Sequence, residues 1–83
     1  MNLKNKHICI TGTLKRMSRN EAKTAITESG AIFSNHVNSL TDILVIARDS
    51  FISEKYQKAI EMAEAGTGII LMKEAEFYRA LKA

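Results

Sequence analysis

Eighty-three residues, 46% of them hydrophobic and 25% charged, make one small globular unit with little room for a deep active-site cavity. A formal net charge of +3 suits a polyanionic partner without requiring one. No apolar run is long enough to span a bilayer and none carries signal-peptide flanks, so no membrane association and a cytoplasmic location are expected.

After a polar lead-in, Leu3 to His7, the run Ile8-Cys9-Ile10-Thr11 predicts a strand. Consecutive branched and small apolar residues suit a strand covered on both faces, as in a parallel sheet under helices. Thr11-Gly12-Thr13 ends it with two hydroxyls and a residue without Cβ. Ligands of open α/β sheets collect just past the carboxyl ends of strands, although a plain turn is the alternative reading of these three residues. Cys9, the single cysteine, reads as a small buried thiol rather than a nucleophile, metal ligand or half of a disulfide. Leu14 returns to the core, and Lys15-Arg16-Met17 form a loop that stops at Ser18.

Ser18-Arg19-Asn20-Glu21 has the pattern of a capping box, with Ala22, Ala25, Ile26 and Ser29 on one small-residue helix face and Gly30 as its left-handed cap. Ala31 to Ser34 predicts a second strand. A polar connection anchored by Val37 and Leu40 leads to Ile43-Leu44-Val45-Ile46-Ala47, a third strand rich in β-branched residues. Ser50 or Ser53 caps a second helix whose predicted buried stripe is Tyr56, Ala59, Ile60 and Ala63. Gly66-Thr67-Gly68 ends that helix and opens a short strand, Ile69 to Leu71. Lys73 to Lys82 forms a last helix with Phe77, Tyr78 and Leu81 facing inward, and Met62 and Met72 fill packing positions.

The resulting βαββαβα string predicts a small parallel α/β sheet covered on both faces. Right-handed crossovers would set the first helix on one face and the last two on or near the other. The connection between the second and third strands is about eight residues, short enough for a hairpin, and periodicity leaves parallel and antiparallel pairing open. His7 and His36 lack partners at metal-ligand spacing, so no metal or cofactor is expected. Neither glycine turn carries the Lys-Ser/Thr of a P-loop, and no Ser-His-Asp or Cys-His set can be assembled. Catalysis is therefore not expected.

Several stretches taken together resemble a BRCT domain over nearly the whole chain, residues 1–83. They are Leu3-Lys4-Asn5-Lys6, Ile10-Thr11-Gly12-Thr13-Leu14, Ser18-Arg19-Asn20-Glu21-Ala22-Lys23, Gly30, and Val37 with Thr41-Asp42 before Leu44-Val45. Lys55, Lys58-Ala59, Ile69-Ile70 and Glu76-Phe77 continue the likeness. It is nearest to the BRCT domains of bacterial NAD-dependent DNA ligases and of the replication factor C large subunit. The resemblance implies a four-stranded parallel sheet in order 2-1-3-4, with the first and third helices on one face and the second on the other. There are departures. Phe77 stands where many such domains carry tryptophan, and Gly30-Ala31 replaces a Gly-Gly pair. The loop Arg48 to Ile52 lacks the ligase glycines, and the second helix runs about one turn longer.

The same resemblance implies a non-catalytic binding module. Thr11, Gly12 and Lys55 would bind a phosphate, because a hydroxyl, an amide and an ammonium are converging donors for it. Arg19 beside them, with Thr13, Lys15, Arg16 and Lys58, would contact DNA along its backbone without reading sequence. For each of the charged residues a solvated surface position is the plain alternative. The expected partner is DNA bearing a 5′-phosphate at an end or nick, in replication or repair near a bacterial or phage-like nucleoid. The alternative is protein interaction, through a phosphopeptide or a repair or replication protein, or by dimerisation through a helix face.

Overall fold

The computed structural model describes residues 2–47 and 53–82. The elements follow in the order β1 (His7–Thr11), α1 (Arg19–Glu28), β2 (Ile32–Ser34), β3 (Ile43–Ile46), α2 (Glu54–Glu64), β4 (Ile70–Lys73) and α3 (Glu74–Lys82). The strands form one parallel sheet in the order β2-β1-β3-β4. The open choice at the β2–β3 connection thus resolves to parallel pairing, with β1 lying between the two strands that this connection joins.

Alternation along the strands divides the core in two. Ile8, Ile10, Ile43, Val45 and Met72 face α1 and α3, where they pack with Ala22, Ile26, Phe77 and Ala80. Cys9 and Leu44 face the other way and pack with Ala59 of α2, Val37 and Ile69. The crossover expectation that grouped the last two helices is corrected: α3 returns to the face that α1 covers, as the BRCT resemblance implies. Fully burying an aliphatic or aromatic side chain contributes roughly 1.5–3 kcal/mol. The first face, with Phe77, Ile8, Ile10, Ile26, Ile43 and Val45 all fully buried, therefore carries most of the fold.

Local signals set the helix ends. Ser18 accepts from the Glu21 N–H at 3.1 Å and the Glu21 carboxylate accepts from the Ser18 N–H at 2.9 Å, completing the capping box. Gly30 follows α1 at φ +88°, a backbone angle that strains any residue with a Cβ. Ser53 caps α2, accepting from the Tyr56 N–H at 3.0 Å; Ser50 lies outside the described residues, as does the loop from Arg48 to Ile52. The expected α2 stripe needs one change, because Ala63 is exposed and half-buried Met62 packs against the core. β4 starts one residue late and runs through Lys73, leaving Glu74 to open α3. Among the described residues no helix is long and apolar enough to cross a membrane.

Candidate functional site

The site begins with a backbone group that the sheet leaves open. In a parallel strand, carbonyls point alternately to the two neighbouring strands. The Thr11 carbonyl accepts from the Ala47 N–H on the β3 side, and the Lys6 carbonyl accepts from the Ile32 N–H on the β2 side. By this alternation the Ile10 carbonyl points toward β2. But β2 is only three residues long, and its last pair is Ser34 with Cys9. The Ile10 carbonyl therefore looks past the end of β2, and a buried carbonyl needs a donor.

Two side chains supply it. Lys55, on the first turn of α2, donates from Nζ at 3.2 Å. Arg19, the first residue of α1, donates from Nη2 at 3.4 Å while its guanidinium lies 5.8 Å from the centre of the Phe33 ring. The two charged nitrogens are no farther apart than these two hydrogen bonds laid end to end. Unit charges about 6 Å apart repel by roughly 3 kcal/mol at the effective dielectric of a protein surface. Among the described residues no carboxylate forms an ion pair with either. Each keeps donors beyond the one spent on Ile10, since a guanidinium has five N–H groups and an ammonium three. The charge of both reaches the sheet below. Burial pushes the Cys9 thiol up from its ordinary value, while Lys55 and then Arg19 pull it the other way.

Thr11 and Gly12 form the floor. Thr11 is buried on the α2 face, where its hydroxyl donates to Ser53 Oγ at 2.7 Å. Ser53 Oγ already accepts the Tyr56 N–H, so its own proton is free to turn toward Thr11. That rotation releases the Thr11 hydroxyl as a donor to an incoming anion. Gly12 is exposed at φ +87°, which turns the chain off β1 without a side chain over the site. Both helices that contribute a cation also aim their amino ends here, the end at which an anion is stabilised.

Thr11, Gly12, Arg19 and Lys55 therefore come together, Thr13 and Lys58 flank them, and Lys15 and Arg16 diverge. Thr13 is exposed and lines a small cavity of about 150 Å³ with Gly12, Ser18 and Arg19. Lys58 is exposed one turn beyond Lys55 and shares a shallow cleft with it, His36 and Glu54. Lys15 and Arg16 are turned away toward α3. The Lys15 N–H donates to Glu74 Oε2 at 2.7 Å, the Arg16 N–H donates to the Tyr78 hydroxyl at 3.1 Å, and the Arg16 guanidinium lies 5.4 Å from the Tyr78 ring centre. Sequence reasoning missed Ser53 as the partner of Thr11 and the Ile10 carbonyl as the point where the cations meet. The first was visible only as a helix cap; a backbone acceptor leaves no residue signature. Among the described residues no group of three His, Cys, Asp or Glu could hold a metal ion.

A family model of the BRCA1 C Terminus (BRCT) domain matches residues 1–78. The DNA ligase of Wolbachia pipientis wMel is 34% identical over 79 residues, which are 95% of this chain and 11% of that protein. The DNA ligase of Aliarcobacter butzleri strain RM4018 is 38% identical over 73 residues, 88% of this chain and 10% of the ligase. The chain thus spans about a tenth of the length of these relatives.

Proposed function

The chain belongs to the BRCT domain family, and from that premise we propose that it is a non-catalytic module of DNA replication or repair that holds the 5′-phosphate of a DNA end or nick. One observation carries this reading: Arg19 and Lys55 meet on a single carbonyl, and among the described residues no carboxylate pairs with either. A phosphate dianion placed over Gly12 would take the spare N–H groups of both cations and the hydroxyl of Thr11. Charge-assisted hydrogen bonds of this kind are the strong ones. The likeness to DNA ligases supports DNA as the bearer of the phosphate, and that partner is consistent with a cytoplasmic, nucleoid-associated location.

The test is fluorescence anisotropy of a short duplex with and without a 5′-phosphate, using the natural chain, Lys55→Met and Arg19→Gln. A hydrogen bond to a charged group contributes about 1.5–3 kcal/mol. Each substitution is therefore expected to weaken binding of the phosphorylated duplex about tenfold or more, and to leave the unphosphorylated duplex nearly unaffected. Equal binding of both duplexes by the natural chain would sink the reading. Tighter binding of a phosphoserine peptide than of the phosphorylated duplex would move the same site to protein recognition.

A further inference from the structure

The loop that follows Gly12 carries its charge away from the phosphate site and lays it against α3. There it walls a groove of about 500 Å³ with Lys15 and Arg16 on one side and Arg79 and Lys82 on the other. The one carboxylate in the lining, Glu74, is engaged by the Lys15 N–H and the Tyr78 hydroxyl. Four of the chain's twelve basic residues thus face a single groove whose only anion among the described residues is already hydrogen-bonded. Arg79 and Lys82 stand in the last turn of α3, where cations complement the helix dipole. Helix stability does not account for Lys15 and Arg16, which come from a different element. Arg16 is moreover held in place over the Tyr78 ring, with its N–H on the Tyr78 hydroxyl. A guanidinium lying on an aromatic face keeps its edge donors available.

We propose that this groove is a second nucleic-acid contact, which takes the sugar-phosphate backbone leading away from the end held at Arg19 and Lys55. The class of partner rests on the preceding reading; the groove and its residues do not. The cations are spread along two walls and do not converge on one point, which suits a line of phosphates better than a single small anion. The four steps along the chain from Gly12 to Arg16 reach at most about 14 Å. A duplex strand carries one phosphate for roughly each 3.4 Å of its axis, so the groove lies within about four phosphates of the bound end. Such contacts would position the duplex and carry no sequence information.

The experiment measures duplex affinity against salt for the natural chain, Arg79→Gln/Lys82→Gln, and the charge-matched control Lys4→Gln/Lys6→Gln. The control residues are exposed, precede β1 and do not line the groove. Removing one cation from a phosphate lowers the slope of log K against log salt by about 0.9. Between about 50 and about 200 mM salt the groove variant should therefore lose about tenfold less affinity than the natural chain. Its preference for the 5′-phosphorylated duplex should be unchanged, the control should keep the natural slope, and Arg79→Lys/Lys82→Arg should restore it. A groove variant with the natural slope, or a control that falls equally, overturns the proposal. So does a variant that loses binding of an acidic phosphopeptide while its DNA slope is unaltered. If the natural chain shows no 5′-phosphate preference but the groove variant alone loses slope, the end-recognition reading fails and the groove stands.

Discussion

At the amino end of the sheet, Asp42 ties β1, β3 and β4 together. Its carboxylate accepts the His7 N–H at 2.8 Å, its own N–H donates to the His7 carbonyl at 2.9 Å, and its carbonyl accepts the Ile70 N–H at 2.9 Å. At the carboxyl end, the open Ile10 carbonyl is met by two cations that keep several donors unspent. Both ends solve the same problem, a backbone group left over where a strand stops. The first uses one anion and matches donor to acceptor. The second uses twice the charge that a carbonyl needs. Surplus positive charge with unused donors is what sets the second end apart and what the proposed phosphate site rests on.

The contrast breaks most sharply at Asp42. Asp42→Ala removes the acceptor of the His7 N–H, a part-buried group, and an unsatisfied donor of this kind costs about 1–3 kcal/mol. A change of 1 kcal/mol shifts the melting temperature by about 4–8 °C in a domain of this size. Thermal unfolding should show that loss, with part of it recovered in Asp42→Asn, whose side chain keeps an acceptor oxygen. The ratio of affinities for phosphorylated and unphosphorylated duplex should remain at its natural value. A changed ratio would mean that the two ends are not independent.

A smaller effect separates the two helix caps. Ser18→Ala and Ser53→Ala each remove a hydroxyl that accepts a first-turn N–H, at a typical cost of about 0.5–2 kcal/mol. Their melting temperatures should fall by similar amounts. Only Ser53 also accepts from Thr11, so only Ser53→Ala should alter the preference for a 5′-phosphate. If both caps alter it equally, the Thr11–Ser53 pair has no role beyond packing.

How far these regions could be read from the residues follows the range of each interaction. The Ser18–Glu21 box, the turn at Gly30 and the apolar runs of β1 and β3 depend on near neighbours or on composition, and all were legible. The sheet order and the side taken by α3 depend on crossovers, which the residue patterns left open; the family resemblance implied both, and the structure agrees. Arg19 and Lys55 were singled out through the family resemblance. Their meeting point was not, because it follows from β2 stopping opposite Cys9, a matter of pairing length. The turn of Lys15 and Arg16 toward α3 rests on hydrogen bonds between residues about sixty positions apart, which local spacing does not encode.

The smallest expected effect concerns Glu74, which does at the carboxyl end part of what Asp42 does at the other. Partial desolvation opposes ionisation of its carboxyl. Hydrogen bonds from the Tyr78 hydroxyl and the Lys15 N–H, with the charges of Lys15 and Arg16 nearby, outweigh that and hold it below its ordinary value of 4.5. A carboxyl lowered on folding stabilises the protein above its unfolded-state pKa, and the contribution fades as pH falls through the folded-state pKa. Glu74→Gln keeps an acceptor but not the charge, so its melting temperature should lie below that of the natural chain at neutral pH. The gap should close as pH falls below 4.5. Screening limits such a surface group to less than about 1 kcal/mol, and the gap should therefore be a few degrees at most. A gap that persists unchanged to low pH would mean that the loop is held to α3 by the shape of the Glu74–Lys15–Tyr78 contact and not by its charge. Arg16 would then remain over Tyr78 even with Glu74 protonated, and the basic wall of the groove would survive acidification.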